Sequence, residues 1–342
     1  MITVSLCMIV KNEEAVLARC LDSVADLVDE IVIVDTGSTD STKEIAARYG
    51  AKLYDFTWIG DFSAARNFAF SKCTMEYIYS ADADEVLEGD NREKFRQLKE
   101  MLLPEIDLVQ MFYGNQLEHG AVYNFDCEYR PKLFKRLRPF VWEGPVHEQV
   151  RLNPVIYDSD VVISHRPMHN HGGRDLAIFA KQIALGNQLS DRLMEMYARE
   201  LFQVGTQEDF QTAEPAFLAI VKDPNADSSA LTYAHLVLCK SARLQGDDLL
   251  FFKYVTKLMA EDAPSELCIE LGRFYMDKGD HEEAAMWFYN AAFETTPVLR
   301  LAAAGADAAE GMKVCYDAMG MPEAAENFIS EIEKRSAALQ GN

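Results

Sequence analysis

A mainly parallel α/β domain followed by an all-α domain of helical repeats is the architecture this 342-residue chain predicts. Short apolar runs alternate with amphipathic stretches through the first part, and each run stops at a polar loop. Beyond about residue 175 the strand signals vanish. Ala-, Leu- and Glu-rich segments with helical spacing replace them, punctuated by Gly or Pro every few tens of residues.

The elements follow in order. Thr3 to Val10 is short, apolar and closed by Lys11-Asn12-Glu13-Glu14, which reads as a buried strand ending in a loop. Leu17, Cys20, Leu21 and Val24 fall at helical spacing and give the next helix one apolar stripe. Ile31 to Val34 is a second buried run that stops at Asp35, and the turn-rich Thr36 to Asp40 leads to Ser41-Thr42-Lys43-Glu44, a capping box for the following helix. Thr42, Ile45, Ala46 and Tyr49 mark that helix's inner face, and Gly50 ends it. Lys52 to Phe56 is a third strand, Ser63 to Lys72 a helix, and Tyr77 to Ala81 a fourth strand ending at Asp82-Ala83-Asp84-Glu85. Such a β-α-β-α-β-α-β order implies right-handed crossovers and ligand binding beyond the carboxyl ends of the strands. Asn12, Asp35 and Asp82 all lie at those ends, so they converge on one crevice. Two adjacent carboxylates there are hard oxygen ligands suited to Mg²⁺ or Mn²⁺ bound to phosphate.

Four segments, Met8 to Glu14, Ile33 to Thr42, Ala64-Ala65-Arg66-Asn67 and Asp82 to Glu85, resemble family 2 glycosyltransferases in order and spacing. The resemblance is specific over the first ninety or so residues and looser to about 175. It implies an inverting enzyme of GT-A fold with a nucleotide-sugar donor, most simply a UDP-sugar. By position it places the base on Asn12 and Asp35 and the ribose and metal on Asp82 and Asp84, and the donor-binding candidates are Val10, Asn12, Glu14, Asp35, Arg66, Asp82, Ala83, Asp84 and Trp142. The implied cofactor is Mn²⁺ or Mg²⁺. A divalent ion on these carboxylates would offset the charge that develops on a departing nucleoside diphosphate, and Arg66 could add a fixed positive charge.

Displacement with inversion requires a general base, and the segment Phe140 to Glu148 carries the candidates. Glu148 is the first choice, supported by the Gly-X-Val-His-Glu segment of many relatives, with His147, Glu143 and Asp126 as alternatives; the Glu-Asp pair of other branches is lacking. His165 follows the apolar run Val161 to Ser164 and is the candidate third metal ligand, its imidazole fitting Mn²⁺ better than Mg²⁺. His169 and His171 follow it. Tyr113, Tyr123, Phe125, Tyr129 and Trp142 could form a platform for a sugar ring or simply be buried strand aromatics, and Trp142 is the first to test.

In the second half, Cys268, Leu271, Gly272, Tyr275, Ala284, Phe288 and Ala291, with Pro297 near the end, match the tetratricopeptide pattern except that Cys268 stands where Trp is usual. Weaker copies lie around Ala213 to Pro224, Ala234 to Lys257 and Cys315 to Phe328. Domain limits of 1–175 and 176–342 follow, joined by a helix from Asp175 to Arg192. The repeats would either grip an extended acceptor or brace the enzyme, including as a homodimer.

The chain has a net charge of −22, which disfavours nucleic acid and anionic membranes and points to a protein, peptide, saccharide or other soluble acceptor. Basic residues from Arg130 to Arg138 are the local exception. Seven scattered cysteines and the lack of any spanning-length apolar run or signal-peptide layout suggest a cytoplasmic protein. The competing reading is a non-catalytic scaffold that keeps nucleotide-sugar affinity. A nucleotidyltransferase is disfavoured because Lys11-Asn12-Glu13-Glu14 replaces a glycine-rich phosphate loop.

Overall fold

The structure is a computed structural model that describes residues 1–342 except 115–127, 151–152, 167–171, 261 and 341–342. Tyr123, Phe125, Asp126, His169 and His171 lie outside the described residues. The chain divides into two compact units, Met1–His171 and Gly172–Asn342.

The first unit runs β1 (Val4–Val10), α1 (Leu17–Val24), β2 (Glu30–Asp35), α2 (Thr42–Arg48), β3 (Lys52–Asp55), α3 (Phe62–Phe70) and β4 (Tyr77–Ser80). It continues with β5 (Glu85–Val86), α4 (Asp90–Met101), β6 (Leu108–Gly114), β7 (Glu128–Lys135), β8 (Trp142–Glu143), β9 (Gln149–Val150) and β10 (Ile156–His165). Eight strands form one sheet in the order β3-β2-β1-β4-β7-β6-β10-β5, and β8 pairs with β9 separately. β3, β2, β1 and β4 are mutually parallel, as is β6 with β10. Because β1 sits at the centre, its side chains divide by the two-residue period of a strand. Leu6 and Met8 pack with Leu17, Leu21 and Phe95 on one face, while Cys7 packs with Val32, Val34, Ala69 and Phe134 on the other.

Strand order reverses between β1 and β4, so this sheet opens a crevice at the carboxyl ends of those two strands. Two features depart from the simple parallel expectation. β7 runs antiparallel between β4 and β6, and the two-residue β5, directly after the acidic turn, runs antiparallel on β10 at the sheet edge. A third departure is local: Ser41 makes no side-chain cap on α2, so the capping box does not form. Asp40 does the work instead, accepting from the Thr42 amide at 3.0 Å and the Thr42 hydroxyl at 2.6 Å.

The second unit is helical: α5 (Gly172–Ala184), α6 (Asp191–Val204), α7 (Gln207–Lys222), α8 (Ser228–Gln245), α9 (Asp248–Leu258), α10 (Ser265–Asp277), α11 (His281–Phe293), α12 (Ala306–Ala318) and α13 (Pro322–Gln340). The single joining helix expected from Asp175 to Arg192 is two helices, broken where Gly186 takes a φ of 77° and Ser190 caps α6. Sequence neighbours pack as hairpins except at α6–α7 and α9–α10, and α6, α8, α10 and α12 also stack on alternate partners, as in a solenoid. The tetratricopeptide spacing has a direct physical basis in Phe288, whose ring lies against Gly272 and Gly311; a Cβ on Gly272 would come within 2.8 Å of it. A short non-helical segment of the unit's own chain, Val298 to Arg300, is held by the neighbouring helices. Glu266 on α10 accepts from the amides of all three residues, Arg199 on α6 donates to the Val298 and Leu299 carbonyls, and Leu299 is fully buried. That part of the interior is therefore filled from within.

Candidate active site

The loops after β1 and β2 are knitted together. Asn12 adopts φ 56°, a left-handed conformation that asparagine tolerates better than most residues. In that pose its amide donates to Ser38 Oγ at 2.9 Å, and its side-chain Oδ1 accepts from the Thr39 amide at 2.8 Å. Glu14 accepts from the Ser41 amide at 3.0 Å, so its carboxylate braces the second loop. Val10, the last residue of β1, is buried and pairs with Asp35 across the sheet.

Asp35 is 1% exposed. Its Oδ1 accepts from the amides of Gly37 and Ser38, both at 2.9 Å, whereas its Oδ2 is buried with no hydrogen-bond partner among the described residues. Burial pushes its carboxyl up, but the Ser38 and Gly37 hydrogen bonds and the Lys43 charge together bring it below the ordinary value. An ionised carboxylate with one oxygen left over suits an N–H donor of a ligand.

Across the switch point, α3 delivers Arg66. Asp61 caps this helix by accepting from the Ala64 amide at 3.0 Å, which fixes where the following turns point. Arg66 then engages three elements: Nη1 donates to Ser80 Oγ at 3.2 Å, Nη2 donates to Asp82 Oδ1 at 3.0 Å, and Nε donates to Glu148. Burial works against its charge, yet Asp82 and Glu148 hold the guanidinium protonated above its already high ordinary value. Burial likewise opposes ionisation of Asp82, but Arg66 and then Lys132 hold that carboxyl well below the usual carboxylate range. The acidic turn and the Glu148 segment thus meet on one guanidinium.

Asp84 Oδ2 lies 3.2 Å from His165 Nε2. That separation is close to the roughly 3 Å edge of an octahedron built on bonds of about 2.1 Å, so both atoms could bind one divalent ion. The Asp84 oxygen and the imidazole together suit Mn²⁺, and also Mg²⁺ with less preference for the nitrogen, whereas Asp82 Oδ1 is engaged by Arg66. Ala83, between the two aspartates, is 5% exposed and packs into the core below.

Trp142 is placed differently from an open sugar platform. Its ring packs 5.4 Å from Phe134 and 5.6 Å from Phe70, and the Arg66 guanidinium lies 5.1 Å from its centroid. Asn67 holds its backbone in both directions, donating to the Trp142 carbonyl at 3.0 Å and accepting from the Trp142 amide at 2.9 Å. The Ala64–Asn67 motif is therefore a clamp on the segment that leads to Glu148. His147 in that segment has φ 48°, a strained pose for a bulky residue. Tyr113 is 2% exposed and belongs to the core, whereas Tyr129 is 46% exposed. The basic run is largely spent on neighbours, since Arg130 pairs with Glu128, Lys132 with Glu85 and Arg138 with Asp107.

Sequence reasoning assigned no role to Ser38, Thr39, Asn67, Ser80, Glu85 or Lys132. Ser38, Thr39, Asn67 and Glu85 lie inside the motif segments, and Lys132 shows as a cation beside the apolar pair Leu133-Phe134.

A sequence model of glycosyl transferase family 2 matches residues 5–150. A TPR repeat-containing protein of Synechococcus elongatus is 54% identical over 150 residues, 44% of this chain and 36% of that protein. An uncharacterised glycosyltransferase of Rickettsia typhi is 34% identical over 119 residues, 33% of this chain and 40% of that one. The chain thus spans at most 40% of the length of these two curated relatives. The solved structure of glucosyl-3-phosphoglycerate synthase from Mycobacterium tuberculosis with Mn²⁺, UDP and phosphoglyceric acid aligns with a TM-score of 0.41 at 18% identity, over 55% of this chain and 80% of that one. No helix among the described residues is long and apolar enough to cross a membrane. The matched segment contains the loops after β1 and β2, the Arg66 helix, the acidic turn and Glu148, so the similarity to glycosyl transferase family 2 rests on this first unit.

Proposed function

We propose that this chain is a metal-dependent inverting glycosyltransferase that moves a sugar from a nucleoside diphosphate sugar, most simply a UDP-sugar, to a protein, peptide or other soluble acceptor. The observation that carries this reading is the pairing, on either side of the switch point, of the orphaned Asp35 Oδ2 with the acidic turn at Asp82 and Asp84. A base edge would donate to Asp35 in the pocket shaped by Asn12, Val10 and Glu14, which puts the diphosphate toward the turn. Asp82, Asp84 and His165 would hold Mn²⁺ or Mg²⁺, whose chemistry is to offset charge on the departing diphosphate. Arg66 keeps Asp82 ionised and oriented, and at the same time holds Glu148 at the crevice. Glu148 is assigned as the base that takes the acceptor's proton, with His147 as the alternative. With Val298 to Arg300 seated against α6 and α10, an acceptor gripped by the repeats would use another part of their surface, and the same surface could pair two copies.

The test is turnover of a panel of nucleotide sugars by purified protein with Mn²⁺ or Mg²⁺. A uridine diphosphate donor should be consumed, by hydrolysis or transfer, and chelation should stop it. No consumption of any donor under these conditions would refute the reading.

A further inference from the structure

Asp82, Asp84 and Glu85 place three carboxylates within four residues, and their side chains are 43%, 13% and 1% exposed. The third is drawn inward. Lys132 on β7 reaches Glu85 on β5 with Nζ 2.5 Å from Oε1, the side chains being 8% and 1% exposed. β7 and β5 are not neighbours, since β6 and β10 lie between them, so this pair spans the face of two strands. On the way the ammonium passes 5.1 Å from the Tyr113 ring of β6, and that ring lies 5.3 Å from His165 of β10. Glu85 is the sheet partner of His165, and the amide of the next residue, Arg166, donates to the Asp84 carbonyl at 2.9 Å. Whatever fixes Glu85 therefore also fixes the backbone that presents Asp84 and His165 to one another. The other Glu85 oxygen, Oε2, is buried without a hydrogen-bond partner among the described residues, which leaves Lys132 as the principal compensation for that charge.

We propose that Lys132 is a positioning residue for the acidic turn: by pairing with Glu85 beneath the sheet end it keeps the third carboxylate out of the crevice and holds Asp84 beside His165 in the arrangement that grips a divalent cation. This inference rests on the reading of Asp84 as part of a metal and diphosphate site. Lys132 itself touches no reacting group. Removing the cation alone would leave a buried carboxylate uncompensated, which either turns outward among the ligands or distorts β5. Removing both partners would relieve that conflict. A residue acting only on another's geometry should also tolerate its conservative replacement.

The experiment is Mn²⁺ binding, followed by the paramagnetic resonance of free Mn²⁺ in the presence of UDP, in the full chain and in Lys132→Met, Lys132→Arg and Glu85→Gln/Lys132→Met. Circular dichroism in metal-free buffer checks folding. Lys132→Met should weaken Mn²⁺ binding by about 10-fold or more, the usual cost of losing a partner behind a metal ligand. Lys132→Arg should stay within about threefold of the natural protein, and the double variant should recover most of the loss, for the pairing reasons given above. Unchanged Mn²⁺ affinity in Lys132→Met would overturn the inference, as would a double variant no better than the single. If Lys132→Met does not fold, a folded double variant with less than about a tenth of natural affinity would overturn it equally. Failure of the natural protein to bind Mn²⁺ with UDP would instead sink the metal reading on which this inference stands.

Discussion

Arg66 and Asp82 are joined by a 3.0 Å hydrogen bond from Nη2 to Oδ1, and the same guanidinium donates to Glu148. A helix on one face of the sheet thereby organises both the acidic turn and the segment carrying the proposed base. Replacing Arg66 by Ala strands the largely buried Glu148 and loosens Asp82, so unfolding in urea should show a loss of about 3 kcal/mol. Arg66→Lys should restore part of the stability but not donor turnover, because one ammonium cannot reproduce the three-way fork. Turnover in Arg66→Lys equal to that of the natural protein would contradict this role.

The clamp behind that helix is separable from the chemistry. Asn67→Ala removes both hydrogen bonds to the Trp142 backbone and should cost about 1–3 kcal/mol in chemical denaturation. Donor affinity should change little, while turnover falls as Glu148 loses its fixed approach. A protein with natural stability would show that the packing of Trp142 on Phe70 and Phe134 holds the segment by itself.

Stability should also fall in acid through Glu30. This buried carboxylate at the start of β2 accepts from Ser5 at 2.5 Å, from Lys52 at 2.6 Å, and from the Thr74 amide and hydroxyl at 2.8 Å each. Burial alone would raise its pKa, but the Lys52, Ser5 and Thr74 hydrogen bonds bring it down to about 2, against an ordinary value of 4.5. A depressed folded value means the contribution, on the order of 3 kcal/mol, is complete above pH about 4.5 and is lost as pH falls toward about 2. Glu30→Gln should therefore flatten the stability profile in that window, measured by urea titration at several pH values. A parallel profile for the two proteins would contradict it.

Phe288 provides the test of the helical unit. Gly311→Ala would drive a methyl into its ring more closely than Gly272→Ala, which itself brings the Cβ to 2.8 Å. Overpacking of about 1–3 kcal/mol outweighs the roughly 1 kcal/mol that alanine gains over glycine in a helix, so both variants should melt lower, Gly311→Ala the more so. Raised melting temperatures would mean that the ring moves freely.

Much of the fold and part of the site are legible in the residues because they are written locally. Buried runs that end in Asn12, Asp35 and Asp82 disclose strand ends, and parallel connections then bring those ends to one edge. The Phe288 repeat is legible for the same reason, since its glycine and alanine partners recur at fixed helical spacing. The Lys132–Glu85 pair is not legible, because its partners are far apart in sequence and meet only through the placement of β7 and β5 in the sheet. Trp142 shows the opposite limit. Its residue type suits a sugar face, but Phe70, Phe134 and Arg66 occupy its surroundings, which no local pattern discloses.

The central claim, that carboxylates beyond β4 hold a cation against a nucleoside diphosphate, is tested most directly by calorimetric titration of UDP into the natural protein and into Asp84→Asn, each with and without Mn²⁺. The account predicts that Mn²⁺ tightens UDP binding at least about 10-fold in the natural protein, roughly 1.4 kcal/mol, and that Asp84→Asn abolishes this gain while keeping the weak metal-free affinity supplied by Asn12 and Asp35. Equal affinity with and without metal in the natural protein, or a full metal-dependent gain in Asp84→Asn, would contradict it.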